Sequence, residues 1–300
     1  MKSLAVVIPC YNCESNIVEL LSQLRDQYDD KIEVVLINDG SVDRTEYVIQ
    51  EFIKQNNNHS FYLYSVPNQG AAKARTIGLK KTTAEYVAFI DADDRVSDNY
   101  IHTLLSSIED NPDMIYYSSM QRQEEQNIER YKIYFAQDAV VTDSNNFLKG
   151  QLKRHCWSAA VWTYAFRKNL VIDSGAYFTD RTAHEDHLFS ILLVAKSRKI
   201  RIISEVLYTQ LITFGSLTNS KKTKRYSIDR YRAYKECEKI MPNYFDKEVL
   251  HSYKRWSLQQ VYQIWRELYP RKLGFIGLGL LNICFYTPDV ISFLFKKYLS

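Results

Sequence analysis

The acidic run Asp91-Ala92-Asp93-Asp94 holds the residue types that point most directly to chemistry. Residues two apart on an extended chain point the same way, so the carboxylates of Asp91 and Asp93 face one ligand. Side by side they repel unless a cation sits between or beside them. Mg²⁺ or Mn²⁺ accepts a few carboxylate oxygens and completes its shell with diphosphate oxygens. The plainer reading is an acidic loop in which Asp94 or Asp98 only caps the next helix. Asp39, within Asn38-Asp39-Gly40-Ser41, offers a carboxylate to a base N–H, or else is turn chemistry with Asp43 capping the helix that follows. Tyr11 suits stacking on a base or packing under a helix; Lys73 and Arg75 suit pairing with phosphates or decorating a helix face. In His184-Glu185-Asp186-His187, adjacent acids at a helix start ordinarily serve the helix dipole. A His-x-x-His with no third ligand in view is a weak zinc signal.

What positions these residues is an alternation of strand and helix over the first hundred or so residues. Leu4 to Pro9, Glu33 to Ile37, Phe61 to Val66 and Tyr86 to Ile90 are apolar runs of strand length. Between them Ile17, Leu20, Leu21 and Leu24 recur at helical spacing behind Ser15, a candidate N-cap. Asp98 stands in the same relation to Ile101, Leu104, Leu105 and Ile108. Such βαβ runs imply a mainly parallel central sheet with helices on both faces, and these sheets bind ligands at the carboxyl ends of their strands. Pro9 to Asn12, Asn38 to Ser41, Asn68 to Gly70 with Arg75, and Asp91 to Asp94 all fall at or just after such ends, so they should converge on one crevice. Beyond residue 118 the alternation fades. Gln121 to Lys132 reads as a loop or surface hairpin, helical and strand segments return from Phe147 to Phe166 and from Leu188 to Tyr208, and the region from Ser220 onward reads as helical.

Composition narrows the class. Among 300 residues a net charge of +4 is mild and argues against nucleic acid as a partner, and the cluster Lys221, Lys222, Lys224 and Arg225 reads as solvated surface or as a contact with anionic lipid. The 23 tyrosines and 14 phenylalanines serve stacking on bases and sugars as well as packing. Five cysteines without paired metal-site spacing fit a reduced, cytoplasmic protein, and Met1-Lys2-Ser3 runs straight into strand-like sequence, so no secretory leader is expected. The apolar stretch from Leu273 to Phe295 is interrupted at Thr287-Pro288-Asp289 and flanked by Arg271, Lys272, Lys296 and Lys297. It reads as a buried core helix or as a peripheral contact with the inner face of the membrane. A Gly-x-Gly-x-x-Gly at the first turn, which a dinucleotide-binding oxidoreductase needs, is missing, as is the Gly-rich basic loop of a nucleotidyltransferase.

Four motifs in order, Val6 to Asn12, Ile37 to Asp43, Asn68 to Arg75 and Tyr86 to Asp94, resemble the family-2 glycosyltransferases of GT-A fold that build bacterial surface and capsular polysaccharide. Trp162 to Lys168, Glu185-Asp186, Leu207-Tyr208 and Gly215 to Thr218 extend the resemblance more loosely. It implies a nucleotide-sugar-binding half over 1–118, an acceptor-binding half over 119–219, and a C-terminal helical extension over 220–300 associated with membrane. It also implies roles: Pro9, Tyr11 and Asp39 on the uracil of a UDP-sugar, Asn68 and Arg75 along nucleotide and sugar, and Asp91 on ribose or donor sugar. Asp93, with Asp91, would hold Mn²⁺ or Mg²⁺, and Asp186 would be the general base. The implied reaction is an inverting hexosyl or N-acetylhexosaminyl transfer to a hydroxyl of a growing, lipid-linked glycan. The alternative is a non-catalytic nucleotide- or glycan-binding relative of the same fold. Two departures stand out: Thr76 follows Arg75 where the family often has Asn, and Gln210 to Phe214 fill a stretch where it often has Arg or His.

Overall fold

The computed structural model describes residues 2–56, 60–123, 126, 128–212 and 222–268. The stretches Leu273 to Phe295 and Gly215 to Thr218 lie outside these, as does the basic residue Lys221.

The expected alternation forms. Strands β1 (Leu4–Cys10), β2 (Ile32–Asp39), β3 (Phe61–Val66) and β4 (Tyr86–Phe89) are separated by α1 (Ile17–Asp26), α2 (Thr45–Gln55) and α3 (Ala71–Lys81). After a short β5 (Arg95–Val96) and α4 (Tyr100–Ile108), the chain adds β6 (Met114–Gln123), β7 (Ile128–Ile133), β8 (Ala139–Val141), α5 (Ser144–Lys153), β9 (Tyr164–Arg167) and α6 (Asn169–Ser174). Helix α7 (His187–Lys196), β10 (Ile200–Leu211), α8 (Lys224–Ile240) and α9 (Lys247–Leu268) follow. One sheet runs β3-β2-β1-β4-β9-β6-β10-β5, with β7 beside β6 and β8 beside β10. β1 pairs in parallel with β2 and β4, β2 with β3, and β6 with β10; β9 enters antiparallel between β4 and β6. The polar stretch from Gln121 resolves as the β6–β7 antiparallel pair, and β6 crosses residue 118 without a break.

Both faces of the sheet are covered, as a parallel sheet requires. Leu4, Val6, Ile8, Val34 and Leu36 turn toward one core with Ile17, Leu20, Leu21, Leu24 and Ile49 of α1 and α2. Val7, Val35 and Ile37, one residue out of phase, turn toward a second core that includes α5, α7, α8 and α9.

Two helix starts depart from the sequence reading. Asn16 rather than Ser15 occupies the cap position of α1, without a side-chain bond, because the Cys13 carbonyl accepts the Ile17 N–H at 3.0 Å. Asn99 rather than Asp98 precedes α4, and Gln27 Oε1, reaching over from the end of α1, accepts the Ile101 N–H at 3.0 Å. A contact distant in sequence satisfies the orphan donor that a local cap was expected to take. For α2, Asp43 does accept the Thr45 N–H at 3.0 Å, although Arg44 stands at the cap position itself.

Helix α3 lies unusually close to β1. A methyl added at Gly78 would meet Val7 Cγ1 at 2.2 Å, so only glycine lets the helix approach this near. That spacing sets the position of Arg75 one turn earlier. Gly78→Ala is expected to destabilise the fold by about 1–3 kcal/mol, the usual cost of overpacking, read as a lower urea midpoint at unchanged slope. An unchanged midpoint would mean that α3 is not pinned against β1.

Candidate active site

The carboxyl ends of β1, β2 and β4 open onto one crevice. The β1–β2 register sets Pro9 beside Ile37 and Cys10 beside Asn38. Tyr11, half exposed, therefore stands next to the turn at Asp39. The two loops are laced together: Ser41 Oγ accepts the Asn12 N–H at 3.1 Å, and Asn12 Oδ1 accepts the Val42 N–H at 2.9 Å. Asn12 takes a left-handed φ of 50° to do so.

Asp39 is buried, and its two carboxylate oxygens accept the Gln69 and Gly70 N–H groups, each at 2.8 Å. It thereby holds the loop that carries Asn68, whose own side chain is exposed at the rim. Gly40, at φ +68°, passes so near this loop that a Cβ would sit 2.6 Å from the Asn68 nitrogen. Each Asp39 oxygen keeps a second lone pair for a base N–H.

Gly70 begins α3 and aims Arg75 into the crevice. The Arg75 guanidinium is buried and forked: one terminal nitrogen donates to Asp91 Oδ1 at 2.8 Å, and the other to Glu185 Oε1 at 2.8 Å. Burial opposes its charge, but Asp91 and then Glu185 outweigh burial and hold its pKa above the usual value. Lys73, on an outer face of α3, pairs with Asp180 at 3.1 Å in a solvated position. Sequence spacing left the role of Arg75 between phosphate and surface; the structure makes it the bridge between the two acidic segments.

The acidic run divides its labour. Asp94 is buried, with Tyr208 Oη donating to it at 2.6 Å and the Leu211 N–H at 2.8 Å. The same hydroxyl accepts the Asp91 N–H at 3.2 Å, and the Tyr208 ring stacks on Trp162 at 4.6 Å. This clamp joins the end of β4 to β10; both motifs were read in the sequence, but with the partners 114 residues apart their contact was not. Asp93 lies in a turn closed by the Asp94 N–H on the Asp91 carbonyl at 3.1 Å, where the sequence reading expected an extended chain. Burial first, then the Asp91 charge, raise its pKa. A desolvated carboxylate beside another is the oxygen-only donor set that a hard divalent cation neutralises, so Asp93 and Asp91 fit Mg²⁺ or Mn²⁺.

Asp186 stands at the start of α7 and makes no side-chain cap bond there. Burial first and Glu185 second push its pKa up to about 8, against the pull of Arg75. His184 and His187 lie behind it with ring centroids 5.5 Å apart. Their pKa values are lowered well below the imidazole range by burial first and Arg230 second. Among the described residues no group of three His, Cys, Asp or Glu side chains is arranged to hold a metal, and no helix is long and apolar enough to cross a membrane.

The comparisons with known proteins agree with this architecture. The family described as Glycosyl transferase family 2 matches residues 5–175. An uncharacterized glycosyltransferase of Escherichia coli, YibD, is 25% identical over 255 residues, 83% of this chain and 74% of that protein. The putative glycosyltransferase EpsH of Bacillus subtilis is 25% identical across 75% of this chain, which spans 65% of EpsH. The poly-beta-1,6-N-acetyl-D-glucosamine synthase of Staphylococcus epidermidis is 32% identical over 114 residues, 37% of this chain and 27% of its own. The solved structure of S. aureus TarS 1–349 in complex with UDP-GlcNAc superposes with a TM-score of 0.72, at 22% identity, over 97% of this chain and 79% of that one. The first carries the family and the last carries the fold: the chain belongs to glycosyl transferase family 2 and has the GT-A architecture.

Proposed function

We propose that this crevice transfers one sugar from a UDP-sugar to a hydroxyl of a growing, lipid-linked surface polysaccharide, with inversion at the anomeric carbon. The reading is supported above all by the Arg75 fork, whose two 2.8 Å bonds join Asp91, on the donor side, to Glu185, next to the candidate base. Pro9, Tyr11 and Asp39 hold the uracil, Tyr11 with its aromatic face and Asp39 with its carboxylate, and Asn68 lies along the nucleotide. Asp186 takes the acceptor proton as its oxygen attacks the face opposite UDP; such help is worth ~10²–10⁴ in rate. Mg²⁺ or Mn²⁺ held by Asp93 and Asp91 would supply Lewis-acid neutralisation of the leaving diphosphate. Arg75, buried and firmly protonated, steadies Asp91 throughout. The donor to try first is UDP-GlcNAc, the ligand of the TarS complex and the sugar in the name of the S. epidermidis relative. A growing polysaccharide as acceptor agrees with the product that name states.

The deciding measurement is UDP release by the purified chain across a panel of UDP-sugars, with and without Mn²⁺. Release from one donor, dependent on metal and lost in Asp93→Ala, is the expected result. UDP binding by calorimetry with no release and no transfer would favour a non-catalytic relative, and no UDP binding would remove the donor reading.

The raised pKa of Asp186 predicts its own pH signature. Transfer needs the ionised base, so the rate should climb about tenfold per pH unit below about 8 and level above it. Asp186→Asn should lower the rate by ~10²–10⁴ and remove that rise. Because the folded carboxyl binds its proton more tightly than the unfolded one (ordinary value about 3.9), wild-type stability declines as pH rises from about 4 toward about 8. Asp186→Asn escapes this decline, so its melting temperature should gain on wild type across that window. Parallel curves for the two proteins would mean that Asp186 is not desolvated.

A further inference from the structure

The most costly unexplained side chain lies behind the base. Arg230, on α8, is only 2% exposed, and neither of its terminal guanidinium nitrogens has a hydrogen-bond partner. Its central carbon lies 4.9 Å from the centroid of the Trp256 ring. Burying a guanidinium with its donors unmet is strongly unfavourable, and a Met or Leu of similar volume would serve packing better. Its neighbours share the condition. His187, 6% exposed, has an unbonded Nδ1; His184 has an unbonded Nε2; Arg181, which donates to Glu236 at 2.6 Å, keeps an unbonded Nε. His184 holds a left-handed φ of 61°, a strained backbone for a residue with a Cβ, and its ring lies 4.4 Å from that of Tyr226.

Arg230 and Arg181 both act by charge on His184 and His187, whose rings lie 5.5 Å apart, so four side chains with unmet nitrogens cluster beside Asp186. Tyr226, His184 and Asp186 are partly exposed, whereas the unmet nitrogens of Arg230, Arg181, His184 and His187 are all buried. Of the nearby acids, Glu185 bonds Arg75, Glu236 bonds Arg181, Asp229 lies 3.8 Å from Arg232 and 3.9 Å from Arg225, and the Asp186 charge favours that of Arg230. The histidines, kept neutral by burial and by Arg230, contribute N–H groups without adding charge.

Resting on the transferase reading of Asp186, we propose that Arg230, with Arg181, His184 and His187, forms an oxyanion subsite that binds a phosphate carried by the acceptor and thereby presents the acceptor hydroxyl to the base. A forked guanidinium is the group that matches phosphate oxygens. The phosphate has two sources of the same chemistry: the diphosphate of a lipid carrier, or a phosphodiester within the acceptor polymer.

The test uses the full chain saturated with UDP, so that the donor's phosphate pocket is filled. Inorganic phosphate is titrated by calorimetry into wild type, Arg230→Met and Arg230→Lys. Wild type should bind phosphate, Arg230→Met should bind at least tenfold more weakly with a melting temperature equal to or above wild type, and Arg230→Lys should fall between. No phosphate binding by the UDP-loaded wild type, or equal binding by all three, overturns the subsite. A melting temperature that drops in Arg230→Met while phosphate affinity holds makes Arg230 a structural residue and also overturns it. Should Arg230→Met not fold, Arg230→Lys decides by the same affinity criterion. Transfer assays then separate the sources: KM should rise in Arg230→Lys for a lipid-diphosphate acceptor or for a phosphodiester polymer, whichever supplies the phosphate, and stay level for a neutral oligosaccharide. An equal rise for the neutral acceptor counts against the subsite. UDP binding by wild type, measured first, tests the donor reading separately.

Discussion

The crevice depends on one buried, forked ion pair. Arg75 reaches Asp91, 16 residues later, and Glu185, 110 residues later, with two bonds of 2.8 Å. Without it, Asp91, Asp93, Glu185 and Asp186 would bring four carboxylates to one desolvated place with little to offset their repulsion. A lysine would supply the charge as a single point but not two divergent donors in one plane. The pair is costly to bury, and its value lies in geometry rather than net stability: it fixes the distance between the acid that closes β4 and the acid that opens α7. Gly78 makes this reach available by letting α3 lie against Val7.

Around that bridge, two other carboxylates act as framework. Asp39 uses both oxygens to draw in the Gln69 and Gly70 N–H groups, so the loops after β2 and β3 move as one piece. Asp94, bonded by Tyr208 and Leu211, does the same for the turn after β4 and the end of β10, with Trp162 stacked behind. The side chains left facing the crevice are thus carried by loops whose own polar groups are satisfied. That is the condition for holding a ligand without reorganisation.

The same economy explains where the structure is strained. Asp93 and Asp186 both carry carboxyls raised by desolvation first, and Arg230 is a desolvated guanidinium whose pKa is lowered by burial. Each is unfavourable for the fold taken alone. Each is a group that a charged or polar ligand would relieve, which is the ground on which the donor, metal and acceptor roles are proposed.

Much of this was legible in the residues themselves. Apolar runs of strand length, helical spacing between them and the βαβ rule placed Tyr11, Asp39, Asn68 and Asp91 at the ends of parallel strands, because strand and helix periods are local properties. An extended chain would pair Asp91 with Asp93 by its period, but the Asp94 N–H donates to the Asp91 carbonyl at 3.1 Å and closes a turn there, so the turn and not a strand period sets how the two carboxylates lie. The motifs carried the family. What needed the folded chain was every assignment that turns on a distant partner: Gln27 in place of Asp98 at the start of α4, Tyr208 as the partner of Asp94, Glu185 as the second arm of Arg75, and Arg230 behind the base. A hydrogen bond or an ion pair is decided by a few tenths of an ångström between groups a hundred residues apart. No period in the sequence encodes that distance; only the packing of sheet and helices sets it.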